Sequence, residues 1–132
     1  MKTKNNGYMP PSGEQIVARY FKCMDSKDLD GMLELFDYDA VVYEPFSKVN
    51  GLHGRSAIEP FLKVAMMANR DLRRTVKIEK KVKKESDNNN EIIAALITFE
   101  KGEKVKGRFT FEFTDRDDSG EKMIKSLHIE FL

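Results

Sequence analysis

Two hydrophobic patterns divide this sequence. In the first half of the chain, apolar residues recur every three or four positions, which is the spacing of amphipathic helices. Beyond residue 72 the apolar residues alternate with polar ones, which is the spacing of half-buried strands. Helices followed by a run of strands predict an α+β domain in which the helices cover one face of an antiparallel sheet.

Two helices and a strand are predicted first. Ser12 followed by Gln15 forms a capping box, which predicts a helix start, and its apolar stripe is Ile16, Val17, Tyr20, Phe21 and Met24. Asp28 is the predicted N-cap of a second helix with apolar positions at Leu29, Met32, Leu33 and Phe36. A short strand is expected over residues 40–44, because Pro45 cannot donate to a ladder.

The third helix is predicted to begin near Gly54 or Ser56, after a loop marked by Gly51 and Gly54. Its apolar face consists of Ile58, Phe61, Leu62, Ala65 and Met66. Pro60 fits only near the first turn, because proline in a helix interior removes a backbone hydrogen bond. We therefore expect this helix to start late or to kink.

Four strands are predicted to follow as a meander. Their alternating apolar positions are Val76, Ile78 and Val82; Ile93, Ala95, Ile97 and Phe99; Phe109, Phe111 and Phe113; and Leu127, Ile129 and Phe131. Residues 86–90, 101–103 and 115–120 separate them at hairpin distances, which predicts antiparallel neighbours. The second of these strands is also apolar on its outer face, at Ile92, Ala94 and Leu96. That face favours a homodimer formed through the sheet.

The length of 132 residues fits one domain, which we place at residues 13–132 after a flexible N-terminal tail over residues 1–12. No apolar run is long enough to span a membrane, and the first residues lack the apolar stretch of a signal peptide. We therefore expect a cytoplasmic protein that does not partner with a membrane.

The charges are nearly balanced, with 23 basic and 22 acidic residues. A basic segment lies within residues 70–84, but it carries no interleaved aromatics for base stacking, and lysines along a peripheral strand also prevent edge pairing. Nucleic acid is therefore not the expected partner, and a small apolar molecule or another protein is. We expect Cys23, on an apolar helical face, to be an inert core thiol rather than a nucleophile.

The candidate chemistry involves Tyr20 and Glu44. Strand alternation places Glu44 on the same face as Ala40 and Val42, so Glu44 points inward if that face meets the helices. A desolvated carboxylate there is suited to exchange a proton near neutral pH, and Tyr20 on the buried stripe could polarise a substrate oxygen. The spacing alone favours a structural interpretation, with a solvated or salt-bridged Glu44 and a tyrosine that belongs to the core.

Neither histidine has companion ligands at metal-binding spacing, so we predict no bound metal and no cofactor. His128 alternates with apolar neighbours and should face outward. His53 is either a solvent-facing turn residue or part of a pocket mouth.

Several of these segments together resemble the nuclear transport factor 2-like superfamily, which includes ketosteroid isomerases and SnoaL-like polyketide cyclases. The resemblance is carried by residues 17–20 (VARY), 28–31 (DLDG), 35–36 (LF), 39–40 (DA), 44–45 (EP) and 54–58 (GRSAI). It implies a cone-shaped α+β fold in which three N-terminal helices pack on a curved antiparallel sheet around a pocket, commonly as a dimer.

The resemblance also implies roles for particular residues. Tyr20 matches the ketosteroid isomerase tyrosine that donates to the substrate oxyanion, and Glu44 matches the carboxylate that moves the proton, with Glu in place of the family's Asp. Phe109 stands at the position of the second oxyanion donor. Losing one such donor costs about 10²- to 10³-fold in rate, so efficient steroid isomerisation is not expected.

Two functions remain open from the sequence. The first is an isomerase, cyclase or dehydratase acting on an apolar carbonyl compound with Glu44 and Tyr20 as catalytic residues. The second is a non-catalytic ligand-binding or dimerisation module of the same fold. In both, the expected ligand-binding residues are Phe36, Phe46, His53, Phe61, Met66, Ile97, Phe99, Phe109, Phe111, Leu127, Ile129 and Phe131.

Overall fold

The computed structural model describes residues 10–46, 51–69, 73–83, 91–101, 103–116 and 121–132. The elements run in chain order as α1 (Gly13–Ser26), α2 (Leu29–Leu33), β1 (Phe36–Tyr43), β2 (Leu52–His53), α3 (Arg55–Ala68), β3 (Arg73–Lys83), β4 (Glu91–Lys101), β5 (Glu103–Arg116) and β6 (Glu121–Phe131). Of the tail predicted for residues 1–12, residues 1–9 lie outside the described residues. None of the described helices is long and apolar enough to cross a membrane.

The strands form one six-stranded sheet in the order β2-β1-β6-β5-β4-β3. The predicted meander is confirmed, because β3, β4, β5 and β6 pair with their sequence neighbours in antiparallel fashion. β1 joins this meander by parallel pairing with β6. The α+β class is therefore confirmed, and the predicted strand before α3 is present as β1. Two features were not predicted: the short β2, and the parallel pairing of β1 with β6 in a sheet that was expected to be antiparallel.

The start of α1 follows the predicted capping box. The Ser12 hydroxyl accepts a hydrogen bond from the Gln15 backbone N–H at 3.2 Å, and the Gln15 side chain accepts one from the Ser12 backbone N–H at 2.8 Å. Two backbone donors that a helix start leaves free are satisfied in this way. The predicted stripe of α1 is buried along its length.

The second helix is shorter than predicted. Asp28 caps it by accepting from the Gly31 N–H, but α2 ends at Leu33, and Phe36 begins β1 instead of continuing the helix. Sheet pairing explains the difference, because the Leu35 carbonyl accepts from the Ile124 N–H of β6 at 2.8 Å. β1 therefore spans Phe36–Tyr43 rather than the predicted residues 40–44.

α3 begins at Arg55, with Gly54 as its N-cap at a φ of 85°. The Arg55 guanidinium fixes this start by donating from Nε and Nη2 to the Phe36 carbonyl, at 3.1 and 2.7 Å. The predicted start near Gly54 or Ser56 is confirmed, and Pro60 lies inside the helix rather than in its first turn. The late start is therefore wrong, and the alternative, a kink at Pro60, stays a prediction. Pro60 is exposed on the helix surface. Water can therefore bind the backbone carbonyl that proline, which has no N–H, leaves without a partner.

The core lies between α1 and the centre of the sheet. The fully buried Tyr20 ring meets four phenylalanine rings edge-on, with centroid distances of 5.0 Å to Phe21, 5.4 Å to Phe111, 6.3 Å to Phe36 and 6.4 Å to Phe109. Edge-to-face contacts of this kind add to the energy of area burial. Tyr20 is therefore the centre of an aromatic cluster that joins α1 to β1 and β5.

The N-terminal turn of α1 packs closely on β4 through Gly13. A Cβ atom at Gly13 would lie 2.5 Å from Glu91 Oε1 and 2.8 Å from Ile93 Cδ1. We predict that Gly13→Ala lowers the free energy of unfolding by about 1 kcal/mol, the low end for overpacking, because the clashing atoms are side-chain ends that can partly move away; urea denaturation measures the change. The loss should shrink in a Glu91→Ala background, because the nearest clashing atom is then gone. A Gly13→Ala protein as stable as the wild type would contradict this packing.

Candidate functional site

A cavity of about 850 Å³ opens between α3 and the end of the sheet. Its size lies within the range of small-molecule sites. Only Glu44 and Asn69 contribute polar side chains among the described residues that line it. The full lining is Glu44, Pro45, Phe46, Leu52, Pro60, Phe61, Val64, Ala65, Ala68, Asn69, Phe99, Val105, Phe109, Ile129 and Phe131. This surface can hold an apolar molecule and offers it two polar contacts. We call it the main cavity.

A second space of about 40 Å³ adjoins the main cavity and shares six of its lining residues, Phe61, Ala65, Asn69, Phe99, Phe109 and Ile129. Tyr20, Phe21, Met24 and Arg74 complete it. Its volume is enough for one or two waters or for a small polar group. We call it the inner cavity.

Glu44 follows the end of β1 and is half-buried. Ala40 and Val42 are fully buried, so the predicted alternation is confirmed, and Glu44 lines the main cavity. Its Oε2 accepts a hydrogen bond from the Phe46 backbone N–H at 2.8 Å. The mouth beside it includes the exposed rings of Phe46 and Phe131, whose centroids are 5.7 Å apart. The carboxylate therefore stands at the cavity mouth, in reach of water.

Tyr20 lies in the aromatic core and lines only the inner cavity. Burial raises the pKa of Tyr20, and the positive charge of Arg74 opposes part of that rise. The phenol therefore stays protonated at physiological pH and can donate a hydrogen bond. Because Glu44 lines the main cavity, the two candidate catalytic residues lie on different cavities that share a wall.

Arg74 brings a buried positive charge to the inner cavity. Its side chain is only 5% exposed and lies over the Phe21 ring, with Cζ 5.3 Å from the centroid. Nη2 donates to the Phe21 carbonyl at 3.3 Å and to the Asp25 carboxylate, and Nη1 donates to Asn69 Oδ1 at 3.4 Å. Asn69 is held in turn, because its Nδ2 donates to the Ala65 carbonyl at 2.7 Å.

Sequence reasoning did not identify Arg74, because it treated the residue as one of a solvated basic run. The signal was nevertheless present. Val76 and Ile78 alternate with lysines along the predicted strand, and the two-residue period places Arg74 on the same face as these two apolar residues. Asn69 carried no such signal, since a polar residue at a helix C-terminus is ordinary.

The expected ligand-binding residues fall into three groups. Six line the main cavity, namely Phe46, Phe61, Phe99, Phe109, Ile129 and Phe131. Five are packed in the core and line neither cavity, namely Phe36, Met66, Ile97, Phe111 and Leu127, because the helices cover that part of the sheet. His53 is exposed on β2, and its neighbour Leu52 lines the cavity instead, since adjacent strand residues face opposite ways.

Cys23 is half-buried rather than part of the core. Burial raises the pKa of the Cys23 thiol, and the carboxylate of Asp28 raises it further. Both effects disfavour the thiolate, which agrees with an inert thiol. Within the described ranges, no group of three or more His, Cys, Asp or Glu side chains could hold a metal ion.

Comparison with known proteins identifies the family. The sequence profile of the SnoaL-like domain matches residues 17–123. A comparison with curated proteins finds no match. Solved structures with similar folds include a putative calcium/calmodulin-dependent protein kinase type II association domain from Thiobacillus denitrificans, at 14% identity and a TM-score of 0.78, covering 95% of this chain and 98% of that one.

Two further structures carry names from the superfamily. An NTF2-like protein of unknown function from Pseudomonas putida has a TM-score of 0.68 at 13% identity, covering 89% of this chain and 82% of that one. A ketosteroid isomerase-like protein from Erwinia carotovora atroseptica has a TM-score of 0.67 at 11% identity, covering 90% and 92%. These identities are low enough that the structures establish the fold alone. With the profile match over most of its length, the chain belongs to the SnoaL-like domain family and has the cone-shaped nuclear transport factor 2-like fold.

Proposed function

We propose that this protein binds a small apolar molecule in its main cavity, in the cytoplasm as the sequence predicts. The observation that carries the proposal is the cavity itself, about 850 Å³ in volume and apolar at all but two of its described lining residues. Burying an apolar ligand there removes its surface from water and also covers the exposed rings of Phe46 and Phe131. No catalytic step is needed for this function.

Filling the cavity should remove binding. Ala65 lies on α3 and lines both cavities, so Ala65→Phe places a ring where the ligand would sit. We expect the affinity for the neutral apolar dye Nile red, followed by fluorescence, to fall about tenfold or more. Met67→Phe is the matched control, because Met67 is on the same helix, is exposed and lines neither cavity. A wild-type protein that does not bind the dye, or equal affinities for the two variants, would contradict the proposal.

A second candidate is proton transfer on an apolar carbonyl compound, as in an isomerase, cyclase or dehydratase. The observation that favours it is a carboxylate, Glu44, in an otherwise apolar cavity. Glu44 would take a proton from the carbon beside the carbonyl, the C–H electron pair would move into an enolate, and a donor would stabilise the enolate oxygen. The phenol of Tyr20 has the chemistry of such a neutral donor, although it lines the inner cavity.

This second candidate predicts exchange of solvent deuterium into a bound ketone, with α-tetralone as the probe and NMR as the measurement. Glu44→Gln keeps an acceptor for the Phe46 N–H but removes the base, so exchange should fall by about 10²-fold or more. Tyr20→Phe should slow it by about 10²-fold if the phenol is the donor. Glu59→Gln, which lies outside both cavities, is the control. Exchange no faster than in buffer would exclude this candidate and leave ligand binding intact.

We also propose a homodimer formed through the outer face of the sheet. On β4 the outer residues Ile92, Ala94 and Leu96 form an apolar strip, extended by Val82 of the paired edge strand, which is 39% exposed. Charged groups flank the strip, with Arg108 Nε donating to Glu79 Oε1 at 2.9 Å. An apolar centre with a polar rim is the anatomy of a protein interface.

The proposed dimer should dissociate when one charge is introduced into the apolar strip. Leu96→Lys places an ammonium group in the middle of the strip, and we expect a dimeric wild type to become monomeric in sedimentation experiments, since burying an unpaired charge is costly. Met67→Lys puts the same change on an exposed position of α3 and should leave the dimer unchanged. A wild-type monomer at micromolar concentration would contradict the dimer.

A further inference from the structure

The inner cavity differs chemically from the main cavity that it adjoins. The main cavity is an apolar space, whereas the inner one combines aromatic walls with the guanidinium of Arg74 and the amide of Asn69. Asn69 lines both cavities, so one molecule can extend from the main cavity into the polar inner cavity. A space of about 40 Å³ is the size of a head group of a few heavy atoms rather than of a whole ligand.

The contacts of Arg74 leave donors available at this end. Within the described part of the chain, Nη1 donates once and Nη2 twice, so the second Nη1 hydrogen is not used there. Asn69 Nδ2 donates one hydrogen to the Ala65 carbonyl and has a second one. Hydrogens that none of the described residues accepts, on a cavity walled by aromatic rings, favour a ligand that brings oxygen atoms.

The charge balance favours an anion over a neutral group. The guanidinium is 5% exposed, whereas its partner Asp25 is 68% exposed, so water screens the carboxylate much more than the arginine. The positive charge of Arg74 also acts on the wall of the inner cavity, because it opposes part of the rise that burial causes in the pKa of Tyr20. A negative head group would meet a desolvated positive charge there, and Glu44 at the mouth would repel that group toward the inside.

We infer that the ligand of this protein is an apolar carboxylic acid, bound as its anion with the carboxylate in the inner cavity at Arg74 and Asn69 and the apolar body in the main cavity. The inference rests on the proposed function, because it specifies the head group of the molecule that the main cavity binds. A carboxylate suits the site because its two oxygens accept hydrogen bonds from a guanidinium edge.

The test compares decanoate with decanol as competitors of Nile red near neutral pH. We expect the wild-type protein to prefer decanoate by about 10- to 100-fold, the value of a charge-assisted hydrogen bond. Arg74→Met should abolish the preference while changing the decanol affinity by less than about threefold. Asp25→Asn is the matched control: it removes the partner in the same ion pair but keeps the guanidinium, so the preference should persist.

The outcomes separate the two proposals. If decanol and Nile red bind but decanoate has no advantage, or if its advantage survives Arg74→Met, the inference is wrong and the proposed function stands. If neither competitor nor the dye binds, the proposed function fails, and the inference fails with it.

Arg74 also has structural contacts, so Arg74→Met must first show the circular dichroism spectrum of the wild type. A second measurement needs no variant: NMR titration of decanoate isotope-labelled at its carboxyl carbon, bound to the wild-type protein. Contact with the guanidinium should lower the pKa of the bound carboxyl group below its value in water. A raised or unchanged pKa would overturn the inference.

Discussion

The guanidinium of Arg74 joins three elements at the closed end of the cone. From β3 it reaches the Phe21 carbonyl and the Asp25 carboxylate of α1, and also Asn69 at the C-terminal cap of α3. Elsewhere α1 and α3 meet the sheet mainly through apolar side chains, which pack without fixed direction. Hydrogen bonds from a planar guanidinium have direction, so they determine where the two helices converge. Arg74 and Asn69 also line the inner cavity.

This arrangement has an energetic cost that only a dense set of contacts can offset. A desolvated arginine is unfavourable unless its donors are occupied, and here a carbonyl, a carboxylate and an amide oxygen occupy part of them. Cation–π contact with the Phe21 ring adds to these. A side chain that served only to join the helices could be replaced by apolar packing at lower cost. A charge beside a cavity is also what the proposed binding of an anionic head group requires.

The sequence predicted the fold well where the pattern was local. The capping box at Ser12 and the alternation of β4, β5 and β6 depend on neighbouring residues, and both were confirmed. Phe36 was assigned to the wrong element, because its place in β1 depends on pairing with a strand almost ninety positions away, at Ile124. The residues that line the main cavity were predicted only in part, again because the answer depends on contacts between elements that are distant in the sequence. Which of two inward phenylalanines lines a cavity depends on where the helices stop covering the sheet.

The relative positions of Glu44, Tyr20 and Arg74 also bear on catalysis. Enolisation requires a base at one carbon and donors at the oxygen only two bonds away, so all these groups must converge on a single point. Glu44 lines the main cavity at its mouth, whereas the donors of Tyr20 and Arg74 line the inner cavity. A ligand whose oxygen is bound by the inner donors can be enolised by Glu44 only if its α-carbon lies at the wall that the two cavities share. Binding needs no such convergence, because it requires only an apolar body in one cavity and a polar head in the other.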